Sequence, residues 1–111
     1  MKKIEAIIRP ERLDAVRQAL EEYGYPGMTI SEVRGHGKQH ERQQWRGQTY
    51  TVEFLSRLKV EIVVIDSDVP RMLNAIVRSA RTGERGDGKI FVLPIENAVR
   101  IRTGEEGENA I

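Results

Sequence analysis

The chain has 111 residues, of which 39% are apolar and 32% are charged, with 18 basic against 17 acidic side chains. This length predicts one domain with a single core, and the apolar fraction is too high for a disordered chain. A net charge of +1 gives no overall field that would hold nucleic acid, so an anion site must be a local cluster.

The residue types also exclude several kinds of chemistry. The chain has no cysteine and two histidines, which rules out disulfides and thiolate sites and leaves too few histidines for a metal site. No arrangement of serine, histidine and carboxylates resembles a catalytic site, so we expect no enzyme. No apolar run approaches the roughly 20 residues of a membrane helix, and no signal-peptide pattern follows Met1. We expect a cytoplasmic protein.

The first half of the chain predicts a strand, a helix and a second strand. Alternating apolar residues predict a strand over 2–9, which Pro10 ends because it has no N–H for the ladder. Helical spacing of apolar residues predicts a helix over 13–23, and alternation returns over 28–34. Residues 35–51, rich in glycine and long polar side chains, predict a long loop of the kind that often carries function.

The second half repeats this order. The clearest strand pattern covers 59–65, and an apolar stripe predicts a helix over 69–80. A glycine-rich loop at 84–89 precedes a strand over 90–93, and a short strand is predicted at 98–101.

This doubled β-α-β order predicts an α+β, ferredoxin-like sandwich: an antiparallel sheet with two helices on one face, plus a short C-terminal strand. The other face would carry Glu5, Ile7, Glu61 and Val63. That mixture suits a partner subunit better than bulk water, so we expect an oligomer.

The segment from Thr82 to Lys89 is the sharpest local motif. Its three glycines allow positive φ angles and expose backbone N–H groups that can bind phosphate oxygens, and Lys89 adds a cation. A helix end followed by a hairpin turn is the simpler interpretation of this segment taken alone. The segment is not a Walker A motif, because that motif has Ser or Thr after its lysine and Ile90 follows Lys89.

Arg100 and Arg102 would share one face of the short C-terminal strand. Two guanidinium groups close to the glycine-rich loop would bind a polyphosphate. The alternative is a solvated edge strand whose arginines pair with Glu105 or Glu106.

Tyr50 and Trp45 lie among basic residues of the long loop, and such aromatics can stack on nucleic-acid bases. Because the net charge is near zero, we favour a loop that orders on a protein partner and expect no nucleic-acid binding.

The sequence resembles the PII signal-transduction proteins over essentially its whole length. The resemblance is carried by MKKIEAIIRP at the N-terminus, KVEIVV from Lys59, TGERGDGKIFV from Thr82 and RIRTGEE from Arg100. It implies one domain over 1–111 with three functional segments: a T-loop at about 37–55, a B-loop at about 82–89 and a C-loop at about 102–111. It also implies a ferredoxin-like trimer that binds ATP or ADP in clefts between subunits.

The resemblance implies roles for particular residues. The nucleotide-binding positions are Ile7, Thr29, Gly35, Gly37, Lys38, Gln39, Val63, Gly86, Asp87, Gly88, Lys89, Arg100 and Arg102. Gln39 would help to bind Mg²⁺ with the ATP phosphates, and Gln39, Arg57 and Lys89 would bind 2-oxoglutarate. Tyr50 matches a tyrosine that some family members have uridylylated. The T-loop would dock on targets such as ammonium transporters or nitrogen-metabolism enzymes.

The sequence departs from the family pattern in the T-loop, which is one residue shorter. Trp45 replaces a common tyrosine, Thr49 replaces an acidic residue, and Arg57 stands where the family usually has a lysine. The function implied is a non-catalytic sensor that regulates a partner through its T-loop. Two alternatives stay open: an adenine-nucleotide sensor of another pathway that does not respond to 2-oxoglutarate, and a slow nucleotide hydrolase with Asp87 or Glu61 as the base.

Overall fold

The computed structural model describes residues 1–25, 27–35, 41–45, 48–52 and 55–111. The strands are β1 (Lys2–Ile8), β2 (Thr29–Gly35), β3 (Glu41–Trp45), β4 (Gln48–Val52), β5 (Leu55–Val64) and β6 (Lys89–Pro94). The helices are α1 (Leu13–Glu22) and α2 (Val69–Ala80). Neither helix of the described ranges is long and apolar enough to cross a membrane.

The main sheet has the order β2-β5-β1-β6, and each neighbouring pair is antiparallel. Since β1 and β5 each begin a strand–helix–strand unit, the two units interleave in one sheet. This arrangement confirms the α+β, ferredoxin-like fold with two helices on one face of an antiparallel sheet.

Alternation along the two central strands places one set of side chains against the helices. Ile4, Ala6 and Ile8 of β1 and Val60, Ile62 and Val64 of β5 are buried, together with Val16 and Leu20 of α1 and Met72 and Ile76 of α2. Burial of each large apolar side chain contributes about 1.5–3 kcal/mol, so this layer fixes the strand register.

The opposite face of the sheet carries a network of paired charges. Lys3 Nζ lies 3.0 Å from Glu5 Oε1 and 3.3 Å from Glu61 Oε2, and Lys59 Nζ lies 3.5 Å from Glu61 Oε1. The hydrogen bond from Lys3 lowers the pKa of Glu61, and the bonds to Glu5 and Glu61 raise the pKa of Lys3. The predicted mixed face of Glu5, Ile7, Glu61 and Val63 is therefore present.

Two predicted segments differ in the structure. Residues 35–51, predicted as a loop, contain an antiparallel hairpin in which β3 pairs with β4 and Gln43 lies opposite Tyr50. The run Thr49 to Val52 consists of residues that favour strands, a signal that the polar surroundings obscured.

The C-terminal strand predicted at 98–101 is reduced to one β-bridge between Val99 and Glu106. A tight turn shortens it, because the Gly104 N–H donates to the Arg100 carbonyl at 2.7 Å and Gly104 has φ +74°.

Candidate functional site

Asp87 organises the glycine-rich loop between α2 and β6. Its carboxylate accepts hydrogen bonds from the Thr82 hydroxyl, from the backbone N–H groups of Thr82 and Gly83 at 2.9 Å each, and from Arg9 Nε at 3.0 Å. The Thr82 hydroxyl, helped by the two amides and Arg9, holds the pKa of Asp87 well below its ordinary value, although burial acts in the opposite direction. The carboxylate that was predicted as a nucleotide-binding group thus ties the loop together.

Sequence reasoning did not single out Arg9, which follows β1. Its guanidinium donates to Asp87 and also to the Arg85 carbonyl, at 2.6 Å through Nη2. A separation of 78 residues along the chain hides the contact with Asp87 from any local pattern.

At two positions of the loop, the backbone conformation and the close neighbours favour glycine over any residue with a Cβ. Gly88 has φ +103°, and a Cβ there would lie 1.7 Å from the Ile7 carbonyl oxygen, so the loop packs directly on the backbone of β1. Gly86 has φ +93°, and a Cβ there would lie 3.0 Å from Arg57 Nη2 and 3.4 Å from Arg9 Nη2. Two guanidinium groups therefore lie beside Gly86.

We expect Gly88→Ala to destabilise the protein more than Gly83→Ala. Both positions have positive φ, which costs a residue with a side chain about 1–2 kcal/mol. A Cβ at Gly83 meets nothing within 4 Å, whereas one at Gly88 collides with Ile7. Urea unfolding of the two variants measures the extra cost of the collision. Equal losses would show that the loop does not rest on β1.

We expect Asp87 to make stability fall at acid pH. Because its pKa is lower in the folded protein, the carboxylate stabilises the fold above its unfolded pKa of about 4, and this contribution is lost as pH falls below that value. Unfolding measured from pH 7 to pH 2 should therefore show a shallower acid decline in Asp87→Asn. Asp14→Asn, at a side chain 92% exposed on α1, is the control and should follow the wild type; an identical decline in all three proteins would contradict the prediction.

The structure brings one group of predicted site residues together at one end of the open sheet face. Ile7 pairs with Lys89 across β1 and β6 and with Lys59 across β1 and β5. Arg57 lies beside Gly86, and Gly35 ends β2 opposite Leu55, at the same end of the sheet. This end therefore combines the glycine-rich loop with the basic side chains of Lys89 and Arg57.

A second group of predicted site residues lies at the other end of the open sheet face. Thr29 and Val63 line a groove of about 710 Å³ together with Tyr25, Met28 and Ile111. Val63 is four residues beyond Lys59 along β5, which corresponds to about 13 Å of strand. The positions that the resemblance assigns to one ligand are thus divided between two ends of the face.

The two C-terminal arginines do not reach the loop within the part of the chain that is described. Arg100 pairs with Glu105 at 3.3 Å, and its N–H donates to the Glu105 carbonyl at 2.8 Å. Arg102 lies exposed in the turn, so the two arginines do not share a strand face as predicted. The single chain shows the alternative pairing with Glu105.

For four other predicted site residues, the structure describes either no position or only the strand that contains the residue. Gly37, Lys38 and Gln39, like His36 and His40, lie outside the described residues. Tyr50, the predicted modification site, is in β4.

The carboxylates suggested as hydrolytic bases are poorly suited to that role. Hydrogen bonds from Thr82 to Asp87 and from Lys3 to Glu61 lower both pKa values. A general base works best with a pKa near the operating pH, and these two shifts run away from it.

Comparison with known proteins gives the family. The family model for nitrogen regulatory protein P-II matches residues 1–105. The chain is 57% identical to a nitrogen regulatory protein P-II of Microchaete diplosiphon, 55% to one of Synechocystis sp. and 54% to one of Pasteurella multocida, and each alignment covers 100% of both chains. These names describe regulators rather than enzymes. The chain therefore belongs to the nitrogen regulatory protein P-II family and has a regulatory role in signal transduction.

Proposed function

We propose that the chain is a homotrimeric sensor that binds ATP or ADP in clefts between subunits and regulates target proteins through its T-loop. The observation that carries this proposal is the loop from Thr82 to Lys89. Asp87 holds the loop in shape, and Gly88 packs directly on β1. Two cationic side chains lie at the loop: Arg57 beside Gly86, and Lys89 after Gly88.

The loop fits a chain of phosphates. Glycines at positive φ leave the backbone open to close approach, and backbone N–H groups next to glycine suit phosphate oxygens. Lys89 follows Gly88 and is exposed, so its ammonium group is accessible to an anion. Gly86, Gly88 and Lys89 would therefore bind phosphates, with Asp87 holding their backbone.

The division of the predicted site favours assembly from more than one copy. Within one chain, Thr29 and Val63 lie at the other end of the sheet, and Arg100 and Arg102 lie in a separate turn. In a cyclic trimer, the second end of one copy can face the loop of the next, so that each cleft is complete. The charged open face would be covered in the same assembly.

2-Oxoglutarate is proposed as the second effector. Bound Mg²⁺ would supply a hard cation that a 2-oxo acid can chelate through its carboxylate and keto oxygens. Gln39 would help to hold the metal beside the ATP phosphates, and Lys89 and Arg57 would hold the metabolite. Arg57 already lies beside Gly86, at the end of the sheet where the phosphates would bind.

The proposed regulatory segment is the T-loop, which includes the β3–β4 hairpin, and Tyr50 is its proposed site of uridylylation. Its target would be an ammonium transporter or a nitrogen-metabolism enzyme, and the protein would act in the cytoplasm. A ligand can change target binding only if it binds one T-loop conformation better than another.

Calorimetric titration tests the proposed function. We expect ATP and ADP to compete for the same site, and 2-oxoglutarate to bind with Mg²⁺-ATP but not with ADP. Binding of ATP without any response to millimolar 2-oxoglutarate would favour an adenine-nucleotide sensor of another pathway. Absence of ATP and ADP binding would reject the proposal.

A further inference from the structure

We propose that Arg9 is a positioning residue for the glycine-rich loop, and that it acts through Asp87 and Arg85 instead of touching the ligand. The proposal rests on the proposed nucleotide-binding function, because it concerns how the same loop is held ready for phosphates.

Arg9 binds the loop on both sides of Gly86. Its Nε donates to Asp87 Oδ1 at 3.0 Å and its Nη2 donates to the Arg85 carbonyl at 2.6 Å. Gly86, between these two residues, has φ +93°. The planar guanidinium thus fixes the residues before and after the glycine in one orientation.

Three further contacts hold the loop in the same conformation. The backbone amides of Thr82 and Gly83 hold the other oxygen of Asp87, and Gly88 packs on the Ile7 carbonyl. Arg9 follows β1, the strand that carries Ile7, so it connects the loop to an inner strand of the sheet. Without Arg9, the Arg85–Gly86 segment would lose its tie to that strand.

The charge of Arg9 is already balanced by carboxylates. Asp87 lies 3.0 Å from Arg9 Nε and Glu11 lies 3.9 Å from Nη1, and the Arg9 side chain is only 20% exposed. Lys89, by contrast, is exposed beside Gly88. We therefore assign the geometry of the loop to Arg9 and direct charge neutralisation to Lys89.

Arg12 provides a matched control. It also donates twice to a carbonyl of a distant segment, with Nε at 3.0 Å and Nη2 at 2.6 Å from Ser79 O. That contact joins the start of α1 to the end of α2 and leaves the loop untouched. Arg12→Gln therefore removes a comparable pair of hydrogen bonds without disturbing the loop.

The test compares Arg9→Gln, Arg9→Lys, Asp87→Asn, the double variant Arg9→Gln/Asp87→Asn, and Arg12→Gln. ATP affinity is measured by calorimetry, and the amide resonances of Gly86 and Gly88 are recorded by NMR in ligand-free protein. We expect Arg9→Gln to weaken ATP binding about tenfold, because a loop freed from the two hydrogen bonds of Arg9 must be ordered again when ATP binds, at a cost of about one net hydrogen bond. Arg9→Lys should not restore it, because an ammonium group cannot bridge Asp87 and Arg85 as the planar fork does.

The double variant should bind ATP no more weakly than the weaker single variant, because both substitutions break the same contact. Arg12→Gln should bind like the wild type. The resonances of Gly86 and Gly88 should shift or broaden in Arg9→Gln and stay in place in Arg12→Gln.

Three results would overturn the proposal: wild-type affinity in Arg9→Gln, recovery in Arg9→Lys, or additive losses in the double variant. The last two would mean that Arg9 contacts the phosphates directly. If wild-type protein binds no ATP, the proposed function fails, and the Gly86 and Gly88 resonances still decide whether Arg9 positions the loop.

Discussion

Lys89→Ala is expected to weaken ATP binding about 10- to 100-fold. Lys89 is exposed at the start of β6, directly after the glycine that packs on Ile7, so its ammonium group is where the loop would present a phosphate. A hydrogen bond to a charged group contributes about 1.5–3 kcal/mol, which gives this range of affinity. Calorimetry at fixed salt measures the loss, and ADP should show a similar one.

Lys59→Ala is the matched control for this variant. Lys59 and Lys89 flank Ile7 on opposite sides in the sheet, but Lys59 is paired with Glu61 at 3.5 Å. Its removal should change ATP affinity little. Equal losses in the two variants would mean that ATP responds to the total charge of the open face, and the phosphate role of the loop would be wrong.

Arg57→Met is expected to abolish detectable 2-oxoglutarate binding in the presence of Mg²⁺-ATP. Methionine is unbranched and apolar, so it removes the cation that the far carboxylate needs. Arg57 Nη1 donates to the Ser56 carbonyl at 2.8 Å, and Nη2 lies beside Gly86, so the side chain is already at the proposed phosphate loop. Titration of 2-oxoglutarate into protein saturated with Mg²⁺-ATP measures the effect.

Arg57→Lys separates charge from shape at this position. It keeps the positive charge but replaces the planar fork with a compact ammonium, so binding should persist. Both variants should bind ATP nearly as wild type does. Undiminished 2-oxoglutarate binding by Arg57→Met would show that another cation receives the metabolite.

The sequence predicts the main sheet and helices well because burial leaves a periodic pattern. Ile4, Ala6 and Ile8 alternate in β1, and Val60, Ile62 and Val64 alternate in β5, so period two identifies both strands and their buried faces. The hairpin β3–β4 lacks such a pattern, and its strand-favouring residues lie among polar ones. Periodicity therefore predicts the layer that packs on the helices and misses the hairpin.

The candidate site could likewise be predicted only in part from the sequence. The loop glycines are visible in the sequence because positive φ requires that residue type. The contact of Arg9 with Asp87 is not visible, because it depends on tertiary folding across 78 residues. The arrangement of Arg100 and Arg102 was predicted from a strand that the turn at Gly104 shortens.

Each proposed nucleotide site combines the loop of one copy with the arginines of another. Lys89→Ala removes the loop cation, and Arg102→Ala removes a cation from the C-terminal turn, so each variant alone should lack tight ATP sites. When the two are unfolded together in equal amounts and refolded, one cleft in each mixed trimer, or about a quarter of all clefts, should combine an intact loop with an intact arginine.

Titrating the refolded mixture with ATP in a calorimeter counts the tight sites. Tight sites are expected to reappear in the mixture, at about a quarter of the wild-type number, and in neither variant refolded alone. If native mass spectrometry finds mixed trimers but the mixture shows no tight sites, the loop and the arginines of a site belong to one chain, and the proposed inter-subunit site is wrong.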